Sequence, residues 1–249
     1  MARTAHSEHT APEAPATVSA ELATKIAYVT ALLRKAAEEH APLALANSLS
    51  AEDMVLTDLI IRENLPISIF TLETGRLAPE TVEMIDKTKT RYGLEMDVYR
   101  PKPEAVDAYV KANGANAFYE SVELRKACCF MRKVEPLGRA LAGKGGWITG
   151  QRREQSATRT ELAEQEHDAG HNMAKYNPLA DWSWGEVLEY VGSFDVPINP
   201  LHARGYPSIG CDPCTRAIRP GEDPRAGRWW WENADTKECG LHLQDGAGI

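Results

Sequence analysis

Short apolar runs alternate with segments of helical periodicity through the first half of the chain, and that alternation most restricts its fold. Leu43-Ala44-Leu45-Ala46 suits a buried strand and is followed, after Asn47-Ser48-Leu49-Ser50, by a helix over Ala51–Arg62. The unit then repeats: Ile67-Ser68-Ile69-Phe70-Thr71-Leu72 reads as a strand, Glu73-Thr74-Gly75-Arg76 as a loop, and Pro79 opens a helix that stops at Gly93. Residues 94–99 and Trp147-Ile148-Thr149 are the third and fourth strand candidates. Ahead of them Ser19 caps a helix running to about His40, in which Leu22, Ile26, Val29 and Leu33 recur at helical spacing. Beyond them Ser183-Trp184-Gly185-Glu186 is a capping box for a helix bearing Val187, Leu188 and Val191. Strand and helix in alternation imply a mostly parallel sheet covered on both faces. Loops that follow parallel strands gather on one edge, so Ser48 and Ser50, Thr74 and Gly75, and Gly150 are expected to converge in one crevice.

Regular patterning fades after Pro197, where Pro, Gly, Arg, Trp and Cys dominate, so something other than a core of its own must order this part. The cysteines suggest what. Cys128 and Cys129 are adjacent and cannot easily close on each other as a disulfide, and Arg125, Lys126, Arg132 and Lys133 around them favour thiolates. Cys211-Asp212-Pro213-Cys214 has metal-knuckle spacing, and the four thiols together can form a metal site. Adjacent ligands fit one tetrahedral ion poorly, whereas a cubane offers separate irons to neighbouring sulfurs. Spacing therefore leaves an iron-sulfur cluster, a zinc ion and an unmetallated core role open, in that order. Cys239, in Lys237-Glu238-Cys239-Gly240-Leu241-His242, is left over. It reads either as an incidental surface cysteine or as a thiol near the chain's end that can enter a site and be presented to another protein. Lys237 and His242 would then favour its thiolate.

With 249 residues, 43% of them hydrophobic, the chain can bury a full core. Residues 1–18 lack apolar periodicity and read as a disordered arm, 19–232 as one α/β domain, and 233–249 as a mobile tail. No stretch reaches the length of a membrane span, the N-terminus lacks the apolar run of a secretory signal, and cysteines held for metal or catalysis fit a cytoplasmic protein. A net charge of −8 argues against a nucleic-acid or membrane surface. Yet between Arg125 and Arg159 nine basic residues stand against two acidic ones, an island suited to a compact anion or to a solvated charged face. Ser48-Leu49-Ser50-Ala51 lies before a helix N-terminus, where free N–H groups favour a phosphate oxygen, or where a serine simply caps the helix. No Gly-Lys-Ser/Thr follows, so a nucleoside-triphosphatase loop is not indicated. Arg152 and Arg153, just past the fourth strand, suit either phosphate or sulfate oxygens or ion pairs with Glu161, Glu164 and Glu166.

Several of these stretches occur together in one known family. Ser50-Ala51-Glu52-Asp53, Thr71-Leu72-Glu73-Thr74-Gly75-Arg76-Leu77, Lys126-Ala127-Cys128-Cys129, Thr149-Gly150-Gln151-Arg152-Arg153, Asn199-Pro200-Leu201-His202, Gly205-Tyr206-Pro207-Ser208-Ile209-Gly210-Cys211, Arg225-Ala226-Gly227-Arg228-Trp229-Trp230-Trp231-Glu232 and Lys237-Glu238-Cys239-Gly240-Leu241-His242 span most of the chain. In them the sequence resembles the assimilatory adenylyl-sulfate reductases, the iron-sulfur branch of the sulfonucleotide reductases. The resemblance implies a Rossmann-like parallel sheet of the adenine nucleotide alpha-hydrolase type with an irregular C-terminal tail. It also implies a [4Fe-4S] cluster on Cys128, Cys129, Cys211 and Cys214. Ser48, Ser50, Leu72 and Gly150 would face the nucleotide of adenylyl sulfate, and Lys133, Arg159, Arg225 and Arg228 its phosphate and sulfate. Cys239 would be the nucleophile, forming an S-sulfocysteine that a thioredoxin or glutaredoxin-like dithiol protein reduces, in sulfate assimilation and cysteine biosynthesis. A 3′-phosphoadenylyl-sulfate reductase, or a zinc-binding module without catalysis, are the alternatives, and a homo-oligomer stays open. Glu73 stands where the family more commonly has aspartate. Where ATP pyrophosphatases of the same fold carry Ser-Gly-Gly-x-Asp-Ser, this chain has Ser48-Leu49-Ser50-Ala51-Glu52-Asp53, which fits a ligand with no pyrophosphate to wrap.

Overall fold

The structure is a computed structural model that describes residues 18–155 and 161–232. Arg159, Cys239 and the expected arm and tail, save Val18, therefore lie outside the described residues.

The expected strand and helix units are present, and the sheet is larger than the sequence indicates. Helix α1 (Ala20–Glu39) leads into β1 (Leu43–Asn47), α2 (Ala51–Arg62), β2 (Ile67–Leu72), α3 (Pro79–Tyr92), β3 (Asp97–Tyr99) and α4 (Pro103–Asn113). Helix α5 (Val122–Cys129) runs through a π-turn at Phe130–Val134 into α6 (Glu135–Leu141), followed by β4 (Gly146–Ile148), β5 (Gln165–Asp168), β6 (Met173–Tyr176) and α7 (Trp184–Phe194). The capping signals act as read. The Ser19 hydroxyl accepts from the Leu22 amide, Gly93 ends α3 in the left-handed region at φ 65°, and Ser183 and Glu186 cap α7 reciprocally.

The six strands run in the order β3-β2-β1-β4-β6-β5, all parallel except the edge strand β5. Strand β3 is shorter than residues 94–99, because only Asp97, Val98 and Tyr99 find partners, on Phe70, Thr71 and Leu72. The β5–β6 hairpin is absent from the sequence reading for a physical reason. Gln-Glu-His-Asp shows no apolar alternation, and across the antiparallel ladder to its partner strand its Glu166 pairs with the buried Lys175 (2.8 Å).

Alternation across the pleat divides the core in two. Leu43, Leu45, Ile67, Ile69 and Ile148 face a large cluster shared with α1, α2, α3 and α7, on which Val18 already packs. Ala44, Phe70 and Trp147 face the opposite way, onto Leu137, Ala140 and Leu141 of α6. Helix α2 is buried over ten successive residues, Ala51 through Ile60, including Glu52, Asp53 and Asp58. Asp58 is satisfied by the hydroxyls of Tyr92 (3.1 Å) and Tyr190 (2.6 Å), so it ties α2 to α3 and α7. The chain moves outward from β1 to β3 and returns to β4 on the other side of β1. A crevice opens at the C-terminal ends of these two strands, where their loops diverge. Among the described residues no helix is long and apolar enough to cross a membrane.

Candidate active site

A cleft of about 210 Å³ occupies that crevice. Its apolar floor is the α6-facing side of the sheet: Ala46, Phe70, Leu72 and Trp147, with Leu137 beneath. Of the loop residues expected to converge, Ser48, Ser50, Thr74 and Gly150 line it and Gly75 does not; Leu72, Lys133, Arg225 and Arg228 line it as well.

The two loops at the switch point are held at a fixed distance by one side chain. Asp53, in the first turn of α2, accepts from the Ser48 amide (2.8 Å) and hydroxyl with Oδ2, and from the Gly150 amide (2.8 Å) with Oδ1. Burial is the largest influence on this carboxyl and raises its pKa to about 6, against the lowering effect of the three hydrogen bonds. Gly150 approaches so closely that a Cβ there would stand 2.5 Å from Asp53 Oδ1 and 2.8 Å from Glu52 Cβ. Leu49 adopts φ 65°, a left-handed conformation that costs a non-glycine residue about 1–2 kcal/mol. It is held there by a fully buried side chain and by its amide, which donates to Asn47 Oδ1 at 2.6 Å. The side chain of Ser50 does not cap α2. The Ala51 amide instead donates to His202 Nε2 (3.2 Å), whose Nδ1 faces the Tyr206 carbonyl at 2.9 Å. Burial pushes the His202 pKa down, consistent with a neutral ring carrying its proton on Nδ1.

The basic island is mostly occupied internally. Arg152 pairs with Glu52 (3.0 Å) and Glu154 (2.8 Å) and reaches the Trp182 carbonyl; Arg153 pairs with Asp181 and donates to the Leu162 carbonyl. Both serve structure, with partners other than the expected Glu161, Glu164 and Glu166. Arg139 is held by Glu135, and Arg132 donates to the Thr74 carbonyl at 2.6 Å. Of the described basic residues in the island, Lys133 alone lines the cleft. The other two cations come from the irregular C-terminal part. Arg228 is buried, donates to the Ile209 carbonyl (3.0 Å), and lies so close to Gly210 that a Cβ there would meet its guanidinium.

The four cysteines meet behind this wall. Cys128 and Cys129 end α5, Cys211 and Cys214 flank a 3-10 turn, and all four line a cavity of about 20 Å³ with Arg76, Phe118, Arg125, Arg132, Lys133 and Pro213. Lys133 lines both cavities, because the π-turn after Cys129 carries it from one to the other. None of the four cysteines is in a disulfide, and the Thr74 hydroxyl lies 3.3 Å from Cys211 Sγ. Among the described residues no three His, Cys, Asp or Glu side chains gather closely enough to hold one metal ion. The expectation that neighbouring cations favour the Cys128 thiolate is not met: burial outweighs Arg132 and raises its pKa. Burial raises Cys214 further, to about 12. As bare thiols these groups are poor nucleophiles near neutral pH. Two buried donors, Arg132 Nε and Trp229 Nε1, have no hydrogen-bond partner among the described residues, and Trp229 belongs to the same apolar cluster as the cysteines.

Glu52, Asp53 and Trp229 fall within the family-like stretches, but their roles are visible only here, since each depends on contacts distant in sequence. Thr149, Gln151, Ser208 and Ile209 also line the cleft.

Residues 42–217 match the family model described as the phosphoadenosine phosphosulfate reductase domain. An adenosine 5'-phosphosulfate reductase of Burkholderia cepacia is 62% identical over 223 residues, covering 90% of this chain and 89% of the relative. Another, of Allochromatium vinosum, is 55% identical, covering 90% and 88%. Among solved structures, a phosphoadenylyl-sulfate reductase from Candida auris in complex with phosphate superposes with a TM-score of 0.66 at 24% identity, covering 82% of this chain and 100% of that one. The Candida glabrata FMN adenylyltransferase shares the fold at a TM-score of 0.56 and 14% identity, covering 93% and 81%. The fold is thus shared with these two enzymes, and by sequence the chain belongs to the phosphoadenosine phosphosulfate reductase domain family, among the adenosine 5'-phosphosulfate reductases.

Proposed function

We propose that this protein reduces adenylyl sulfate to sulfite and AMP, using Cys239 as nucleophile and a dithiol protein of the thioredoxin or glutaredoxin type as reductant. The observation that carries the reading is a cleft lined by an apolar floor and by three cations, Lys133, Arg225 and Arg228, with Lys133 shared with the cysteine cavity. Ser48, Ser50, Leu72 and Gly150 hold the adenosine part; the three cations, with Arg159, hold phosphate and sulfate.

The Cys239 thiolate attacks the sulfate sulfur, the bond from that sulfur to the phosphate oxygen breaks, and AMP leaves with the electron pair. The cations stabilise the charge gathering on the departing phosphate. Cys239 then carries an S-sulfonate. A thiolate of the reductant attacks Cys239 Sγ, releasing sulfite and forming a mixed disulfide, and its second thiol frees Cys239 and leaves oxidised as a disulfide.

The donor set at Cys128, Cys129, Cys211 and Cys214 fits a [4Fe-4S] cluster. Four thiols surround one cavity, and Arg132 Nε and Trp229 Nε1 are buried donors that sulfur acceptors would satisfy. When bound, such a cluster supplies the positive charge that these buried thiols need as thiolates and fixes the field around Lys133.

Anaerobically purified protein is expected to show cluster absorbance with iron and labile sulfide, and to gain the mass of SO3 on Cys239 when mixed with adenylyl sulfate. Replacing Cys239 by Ser should abolish sulfite formation and leave the absorbance intact. Zinc without iron would reassign the cysteines, and turnover of only the 3′-phosphorylated nucleotide would reassign the substrate.

A further inference from the structure

The described chain ends at Glu232, seven residues before Cys239, and this residue is anchored rather than loose. Its carboxylate accepts from Arg125 twice, Nε to Oε1 at 2.8 Å and Nη2 to Oε2 at 2.8 Å. The two side chains are 0% and 4% exposed. Arg125 belongs to α5, one helical turn before the cysteine pair. Its guanidinium stacks over the Trp229 ring at 4.7 Å and lies within hydrogen-bond reach of the Cys129 thiol. One side chain thus touches the cysteine site, the indole that lines the cleft, and the residue from which the last segment departs.

A fully buried ion pair gains little stability over an apolar pair of similar volume, because both ions are stripped of water. What the bidentate arrangement provides is orientation: two parallel bonds fix the direction of the Glu232 side chain and of the backbone bearing it. Trp229 and Arg228, three and four residues earlier, line the cleft. Seven residues span at most roughly 25 Å, so Glu232 bounds how far from this point the Cys239 thiol can act.

The geometry points to Glu232 as a positioning residue for Cys239, with Arg125 as the link that ties this position to the cysteine site. The inference rests on Cys239 being the nucleophile. In it, the cysteine site contributes to the reaction through Arg125 as well as through Lys133: the same helix that presents Cys128 and Cys129 also aims the segment carrying the reactive thiol.

The test is a single-turnover experiment on the full-length holoprotein with adenylyl sulfate and no reductant, following the S-sulfonate on Cys239 by mass spectrometry. AMP affinity and visible absorbance are measured alongside. Glu232→Gln keeps the shape but removes the charge, and Glu232→Asp keeps the charge one methylene shorter. For Glu232→Gln, AMP affinity and absorbance should match the unsubstituted protein while adduct formation at saturating substrate slows by about tenfold to a hundredfold. Glu232→Asp should recover part of that rate. An unchanged rate in both variants overturns the inference, and so does a rate loss matched by equal losses of AMP affinity and absorbance, which marks a purely structural pair. An unsubstituted protein that gains its adduct elsewhere, or none, overturns the nucleophile assignment and this inference with it.

Discussion

Asp53 shows how a residue can lower stability and still be needed. Its carboxyl is buried, and its pKa rises from an ordinary carboxylate value to about 6. The folded protein therefore holds this proton more tightly than the unfolded chain does. The stability that Asp53 contributes is largest below about pH 4 and falls as pH rises through about 6, which makes the ionised form roughly 3 kcal/mol less favourable at neutral pH. The Coulomb effect of neighbouring Glu52 works in the same direction. His202, at the other end of the loop, has its pKa lowered, so its contribution has the opposite sign and is lost as pH falls below its ordinary value near 6.5. What the ionised Asp53 supplies is acceptor capacity for Ser48 and Gly150 at once. Asparagine has one acceptor oxygen and would turn its amide donors toward an N–H. Asp53→Asn should therefore change the melting temperature at pH 7 little, relief of the buried charge offsetting the lost bond, while weakening AMP binding by about tenfold. AMP affinity of the unsubstituted protein should fall as pH drops through about 6, and this dependence should be reduced in the variant. Titration calorimetry at several pH values checks both, and a variant binding AMP as tightly as the parent would remove Asp53 from this role.

At the scale of elements, the site depends on how closely the loop after β4 approaches the N-terminus of α2. Gly150 is the contact. A methyl group there would meet Asp53 Oδ1 and Glu52 Cβ inside van der Waals distance, and the second of these lies on a helix buried along ten residues and cannot give way easily. Gly150→Ala should cost about 1–3 kcal/mol in stability by overpacking and lower AMP affinity by at least the same tenfold as Asp53→Asn, measured by thermal melts and calorimetry. The central strands and their helices were legible in the sequence because their apolar spacing is local: Leu43 and Leu45 alternate, and Ser19, Gly93 and Ser183 punctuate the helices. The β5–β6 hairpin was not, since the polar side chains Glu166 and Lys175 find their partners, each other, Asn177 and Gln151, only once the chain is folded. The same limit holds at the site. Ser48 and Gly150 could be expected in one crevice from topology, and their cysteine neighbours from spacing and resemblance. That Asp53 joins them, or that Arg152 is taken up by Glu52 some hundred residues away, depends on partners no local pattern names.

For the whole molecule, the question is what attaches the irregular residues after Pro197 to the sheet. Direct polar links exist: Asn199 to Thr81 (2.9 Å), Arg204 to Glu80, the Asp212 amide to the Arg76 carbonyl (2.7 Å), and a single bridge between Leu77 and Cys211. Ile198 packs on the larger sheet core, and the apolar contacts farther on centre on Trp229, Phe118 and the four cysteines, in a small cluster separate from both sheet cores. Such a segment has too little buried apolar area to order itself, so a metal group across Cys128, Cys129, Cys211 and Cys214 would be its main cross-link. Two of the three cleft cations, Arg225 and Arg228, belong to this segment, and Lys133 lies between the cleft and the cysteines. If such a cross-link is present, losing it should consequently disturb substrate binding without touching Cys239, the proposed nucleophile. Cys214→Ala, or removal of iron by a chelator, is expected to lower the melting temperature by roughly 10 °C, corresponding to about 3 kcal/mol for a domain of this size, and to weaken AMP binding in parallel. Cys239→Ser should leave both unchanged. If iron removal leaves AMP affinity and melting temperature intact, the cysteines do not hold the cationic wall in place, and the link between the two cavities through Lys133 is one of proximity alone.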